Sequence, residues 1–110
     1  MTTNAGTILV VDDDSTNRIL LAANLEEQGY TVEQAEDGLQ ALERLRTRSF
    51  DVVLLDLLMP KMDGFQVLER LKESPSHREL PVIVISSLDD LSSTVRCIEM
   101  GAEGYLPKPF

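Results

Sequence analysis

A chain of 110 residues with 10 Lys and Arg against 19 Asp and Glu carries a formal charge of −9. That length fits one domain able to bury its own core, and 43% apolar with 26% charged residues excludes a disordered chain. The acid excess argues against a direct grip on nucleic acid or on an anionic membrane. No apolar run approaches the roughly 20 residues that span a bilayer. Cys97 is the single cysteine, so no intrachain disulfide can form. The opening residues 1–6 lack the basic-then-apolar plan of a signal peptide, and the expected location is the cytoplasm.

In chain order, Ile8-Leu9-Val10-Val11 is a continuous β-rich run, as suits a strand buried on both faces. Asp14 or Ser15 caps a helix to about Gln28, which Gly29 stops. Residues 31–35 alternate and predict an edge strand. Asp37-Gly38 opens a helix through Arg46 with Leu39, Leu42 and Leu45 on one face. Val52-Val53-Leu54-Leu55 predicts a central strand, and Asp63-Gly64 opens a third helix whose expected stripe is Phe65, Leu68 and Leu71. Residues 73–80, with His77 among Pro75 and Ser76, form a connector in which His77 is expected to be solvated. Pro81 leads a fourth strand over 82–85. Asp89 or Asp90 opens a last helix ending at Gly101, with Cys97 a packing residue. Residues 104–106 predict a short fifth strand.

Alternating strands and helices imply a parallel sheet with helices on both faces, whose ligand site lies beyond the carboxyl ends of the strands. Asp12 and Asp13, Asp56, Ser86 and Lys108 follow four different strands and converge on that rim. Carboxylates about 4 Å apart repel by roughly 4 kcal/mol per pair at an effective dielectric near 20. Positive charge must offset that repulsion. Mg2+ takes oxygen ligands from one or two carboxylates plus phosphate oxygens. Lys108 adds a point charge and Ser86 a hydroxyl, both suited to phosphoryl oxygens. Asp56 is the carboxylate aimed to act as nucleophile. Met59 and Met62 are expected to pack around the site rather than do chemistry.

Val10-Val11-Asp12-Asp13, Asp56-Leu57-Leu58-Met59-Pro60-Lys61-Met62-Asp63-Gly64, the run Pro81 to Ser86 and the run Gly101 to Phe110 together resemble a two-component response-regulator receiver domain. The resemblance extends from about Ile8 to the last residue. It implies a doubly wound five-stranded parallel sheet in the flavodoxin-like order 2-1-3-4-5. It also implies that Asp56 accepts phosphate from a sensor histidine kinase or a phosphotransfer protein. Asp13 would bind Mg2+ directly, with Asp12 beside it, while Asp56 and the backbone carbonyl of Leu58 complete the protein ligands; Mn2+ could substitute. Ser86 would be the switch hydroxyl, Lys108 the phosphoryl contact and Tyr105 the aromatic that reports the state of Ser86. The Lys108-Pro109 bond would be cis, which an X-Pro bond tolerates. The output would reach an effector domain or protein.

Relative to that family the chain stops where a fifth helix should begin, so residues 1–110 are expected to be a single receiver domain truncated after its fifth strand. Ile19-Leu20-Leu21-Ala22-Ala23 is apolar around more than one face, which calls for a second neighbour. A homodimer covering the missing-helix face is one way to supply it. Leu58 and Leu88 flank the site with apolar groups that cannot orient a hydrolytic water, so slow self-dephosphorylation is expected. A phosphatase of the haloacid-dehalogenase class needs a second Asp two residues after the nucleophile, and Leu58 stands there instead. A docking module that takes no phosphate is the remaining alternative, and the complete set of five side chains disfavours it.

Overall fold

A computed structural model describes residues 6–57, 63–87 and 91–108, with the backbone alone for Ser87, Leu91 and Lys108. Nine elements alternate without exception: β1 (Thr7–Val11), α1 (Ser15–Glu27), β2 (Thr31–Ala35), α2 (Gly38–Thr47), β3 (Val52–Asp56), α3 (Gly64–Glu73), β4 (Val82–Ser87), α4 (Leu91–Glu99) and β5 (Gly104–Lys108). All strand pairs are parallel, in the order β2-β1-β3-β4-β5. This is the expected flavodoxin-like order. Among the described residues there are four helices, and none is long and apolar enough to cross a membrane.

The pleat sorts the strand side chains into two cores. Leu9, Val11, Val53, Leu55, Val82 and Val84 face the layer that holds Ala41 and Leu45 of α2, Val67, Leu68 and Leu71 of α3, and Cys97 of α4. Ile8, Val10, Leu54 and Ile85 face the opposite side, where α1 contributes Leu21 and Leu25. Both faces of the central strands are therefore buried, which is why their sequences read as unbroken apolar runs. The alternating β2 lies at one edge as expected. At the other edge, β5 runs two residues further than residues 104–106. Pro107 sits opposite Ser86 within it, tolerable on an edge strand, where one row of backbone N–H groups need not pair within the sheet.

Asp14 is the α1 cap, accepting from Thr16 N at 2.9 Å and Asn17 N at 3.2 Å. Gly29 at φ 98° and Gly101 at φ 113° end α1 and α4 in the left-handed region, as their places in the sequence predict. Asp63 and Gln66 form a reciprocal capping box that starts α3. The start of α4 at Asp89 or Asp90 lies outside the described residues.

Three expectations need correction. On α2 the buried face is Gly38, Ala41 and Leu45, and Leu39 is 52% exposed. At roughly 100° per residue, positions 38, 41, 42 and 45 share a face, whereas 39 lies a quarter-turn away. The same offset places Phe65 at the margin of the α3 face formed by Gly64, Val67, Leu68 and Leu71. It packs there partly buried against the core, and its ring also receives the guanidinium of Arg96 at 4.5 Å, which ties α4 to α3. His77 is not simply solvated. It is half-buried, with Nε2 3.1 Å from the Leu45 carbonyl near the end of α2 and Nδ1 3.3 Å from Ser74 Oγ. The connector is thus pinned by a side chain that caps a neighbouring helix.

Candidate phosphoryl and metal site

In a parallel sheet every strand ends on the same rim, and here β1, β3, β4 and β5 deliver Asp12, Asp56, Ser86 and the backbone of Lys108 to it. Asp56 closes β3 beside Ile85, one residue before Ser86. Continuing the pleat, Asp12 lies on the side of Val10 and Asp56 on the side of Leu54, both the α1 side. The result is an acidic cluster. Carboxylate oxygens of Asp12, Asp13 and Asp56 all lie within 4.8 Å of one another. Asp12 is 1% exposed and Asp56 3%, while Asp13 is open to solvent.

The three consecutive aspartates of the β1–α1 turn do different work. Asp12 Oδ1 accepts from Asp14 N at 2.9 Å, which folds the turn back on itself. Asp14 caps α1, and Asp13 projects outward from between them. Beneath the turn, Arg18 on the sheet side of α1 is 8% exposed. Its Nη1 donates to the Asp12 carbonyl at 2.8 Å and its Nε to Gln34 Oε1 at 3.0 Å. The Asp12 amide donates to the Ala35 carbonyl at 3.1 Å. Both backbone polar groups of Asp12 are thus fixed, so its carboxylate is held rather than floating.

At Asp56 the backbone is held from two sides. Leu57 N donates to the Ile85 carbonyl at 3.3 Å, and Gly64 N donates to the Leu57 carbonyl at 3.0 Å. A Cβ on Gly64 would lie 2.6 Å from the Asp56 carbonyl oxygen and 2.7 Å from Leu57 Cα. Glycine therefore lets the first turn of α3 rest directly on the end of β3.

Ser86, 4% exposed, does not stand alone: its Oγ lies 2.7 Å from Thr94 Oγ1 of α4, itself 3% exposed. Tyr105 pairs with Val84 in the sheet and is 50% exposed. The backbone of Lys108 pairs with Ser87. The Lys108 side chain, the Leu58 carbonyl, Met59, Met62, Leu88 and the Lys108-Pro109 bond lie outside the described residues.

Sequence reasoning missed Arg18, Thr94 and the packing role of Gly64. The available signal was polarity on an apolar stripe. Arg18 precedes Leu21, Ala22 and Leu25 at helical spacing, and Thr94 precedes Cys97 by three.

The donor set is all oxygen, two of its three members are buried, and their spacing allows a shared ion, so the cluster fits a hard divalent cation. A doubly wound sheet of this order with an acidic pocket at its carboxyl rim defines the class of α/β domains that bind ligands at that rim. Residues 8–110 match the response regulator receiver domain family. The response regulator MprA of Mycobacterium ulcerans (strain Agy99) is 43% identical over 103 residues, covering 94% of this chain and 44% of that protein. The receiver domain of NtrX from Brucella abortus superposes with a TM-score of 0.88 at 35% identity, over 94% of this chain and 86% of that one. The receiver domain of a signal transduction histidine kinase from Syntrophus aciditrophicus gives 0.87 at 39% identity, over 96% and 80%. The chain belongs to the response regulator receiver domain family of two-component systems. Accepting a phosphoryl group and binding Mg2+ are general to that family. The chain spans less than half the length of the MprA relative, which continues beyond the matched region.

Proposed function

We propose that Asp56 accepts a phosphoryl group from the phosphohistidine of a sensor kinase or phosphotransfer protein, and that the modified rim passes the signal to an effector domain or protein. The observation that carries this reading is the cluster of Asp12, Asp13 and Asp56 at the strand ends. An Asp56 carboxylate oxygen attacks the phosphorus in line. The new O–P bond forms as the P–N bond breaks, and the imidazole leaves with the bonding pair, neutral because its other nitrogen carries a proton. Asp13, Asp12, Asp56 and the Leu58 carbonyl would hold Mg2+, or Mn2+ in its place. When bound, the ion neutralises charge between an anionic nucleophile and an anionic donor.

The chain's own residues do the rest. Buried placement orients the Asp56 carboxylate before the donor arrives, so little reorganisation is needed at transfer. Lys108 contacts the phosphoryl oxygens as a point charge, and Ser86 donates its hydroxyl to another. Tyr105 changes rotamer with Ser86. Leu58 and Leu88, two residues beyond Asp56 and Ser86, carry apolar side chains that cannot themselves orient a hydrolytic water, so the phosphoryl group is long-lived. The chain turns over no substrate and at most catalyses its own phosphorylation and dephosphorylation. The reading places it in the cytoplasm, where kinase and effector meet. A second copy covering Ile19 and Leu20, exposed on α1, is the homodimer it expects; a monomer in sedimentation equilibrium would remove that element.

Chemical mapping tests the assignment. After incubation with a histidine-phosphorylated donor and Mg2+, the phosphoprotein should be labile to hydroxylamine. In a separate sample not exposed to hydroxylamine, borohydride reduction of the acyl phosphate should leave homoserine at position 56 and nowhere else. Acid-stable phosphate on a hydroxyl side chain would contradict it.

A further inference from the structure

We propose that Thr94 is a positioning residue for the Ser86 hydroxyl: it holds Ser86 against α4 while Asp56 carries no phosphate, and phosphorylation breaks that bond. The proposal rests on Asp56 as phosphoacceptor and extends it to the route by which the rim acts on α4.

The bond joins Ser86 Oγ to Thr94 Oγ1 at 2.7 Å, the usual length for O–H···O. Both residues are buried, at 4% and 3% exposure. Three residues further along α4, Cys97 packs in the core with Val82 and Val84 of β4. Position 94 therefore belongs to the helix face that covers the sheet, where valine would fill the same space. A hydroxyl there is costly unless it is bonded, and it bonds the hydroxyl expected to reach the phosphoryl group.

Serine carries one O–H. Moving toward a phosphoryl oxygen takes Ser86 to another χ1 well, and a bond this short does not survive that swing. Thr94, β-branched and helical, has few rotamers with which to follow. Ser86 consequently has two mutually exclusive positions, one held by α4 and one by the phosphorylated rim. A buried neutral hydrogen bond biases such an equilibrium by roughly three- to tenfold. A bond to an ionised phosphoryl oxygen is about twice as strong and overcomes it. When Ser86 leaves, α4, a helix that also carries the exposed Val95 and Ile98, loses a polar attachment to β4. The phosphorylation state is thereby transmitted to the seat of that helix.

Acetyl phosphate with Mg2+, followed by intact-mass spectrometry, provides the test. Thr94→Val should speed phosphorylation roughly three- to tenfold, and Thr94→Ser should stay within about twofold of the unaltered chain. In a Ser86→Ala background, Thr94→Val should change nothing. An unchanged or slower rate in Thr94→Val, or effects that simply add in the double variant, overturns the proposal. The Thr94 methyl resonance supplies a readout that needs no variant at position 94. Phosphorylation should move it in the unaltered chain and leave it in place in Ser86→Ala. A methyl that stays still while Asp56 is phosphorylated sinks the coupling alone; absence of phosphate on Asp56 sinks the underlying reading with it.

Discussion

Asp12, Asp13 and Asp14 stand side by side in the chain yet have three fates: buried and fixed, exposed at the rim, and committed to a helix end. What separates them is the backbone of the turn, and Arg18 holds that backbone through the Asp12 carbonyl. Removing the guanidinium leaves this carbonyl and Gln34 Oε1 without a charged donor, and bonds to charged groups contribute about 1.5–3 kcal/mol each. Arg18→Met is therefore expected to lower stability in urea by about 2 kcal/mol. It should also weaken Mg2+ binding in calorimetric titration, although Arg18 touches no metal-facing atom. Unchanged Mg2+ affinity would show that the turn needs no support from below. At this scale the placement of the rim residues was legible wherever a residue type announces itself by position: an Asp ending an apolar run, a hydroxyl ending another. Arg18 and Thr94 were not, because their meaning lies in partners on other elements, Gln34 on β2 and Ser86 on β4.

Elements were legible in kind and order because β1, β3 and β4 are apolar runs, β2 alternates, and most helices are bracketed by a capping Asp or a stopping Gly. Their facing was less so. Leu39 and Phe65 hold equivalent places in α2 and α3, one residue after the opening Gly; Leu39 is exposed, and Phe65 packs at the margin of the core. A leucine or phenylalanine draws attention as a core residue, whereas small Gly38, Ala41 and Gly64 share the buried faces with Leu45, Val67, Leu68 and Leu71. Small residues there let the helices lie close to the strands. His77 escaped notice for a related reason: its partner is a backbone carbonyl at the far end of α2, and backbone groups have no sequence signature. The closeness of α3 to β3 yields a sharp test. Gly64→Ala drives a Cβ into the Asp56 carbonyl and Leu57 Cα, and overpacking of this kind costs about 1–3 kcal/mol. Because the displaced backbone carries Asp56, phosphorylation should slow as well. Gly104→Ala is the control, since nothing lies within 4 Å of the added Cβ, and it should unfold at the same urea concentration as the parent. Equal behaviour of the two variants would mean the close approach at Gly64 is not a constraint.

Taken as a whole, the molecule places its two kinds of work at different depths. The two apolar cores, one under α2, α3 and α4 and one under α1, hold the sheet rigid. The rim collects charge that would repel itself apart without a cation, and part of the −9 is concentrated there by topology rather than spread over the surface. Parallel strands are what make this possible, since they bring positions separated by more than forty residues, Asp12 and Asp56, to one end of the sheet. The central claim is that this cluster is a cation-supported phosphoacceptor with Asp56 as its nucleophile. Intact-mass spectrometry after incubation with acetyl phosphate addresses it most directly. One phosphoryl group should appear in the presence of Mg2+, disappear on chelation with EDTA, and be absent from Asp56→Asn in any buffer. A phosphoryl adduct that persists in Asp56→Asn, or no adduct on the unaltered chain with Mg2+ present, would contradict the account.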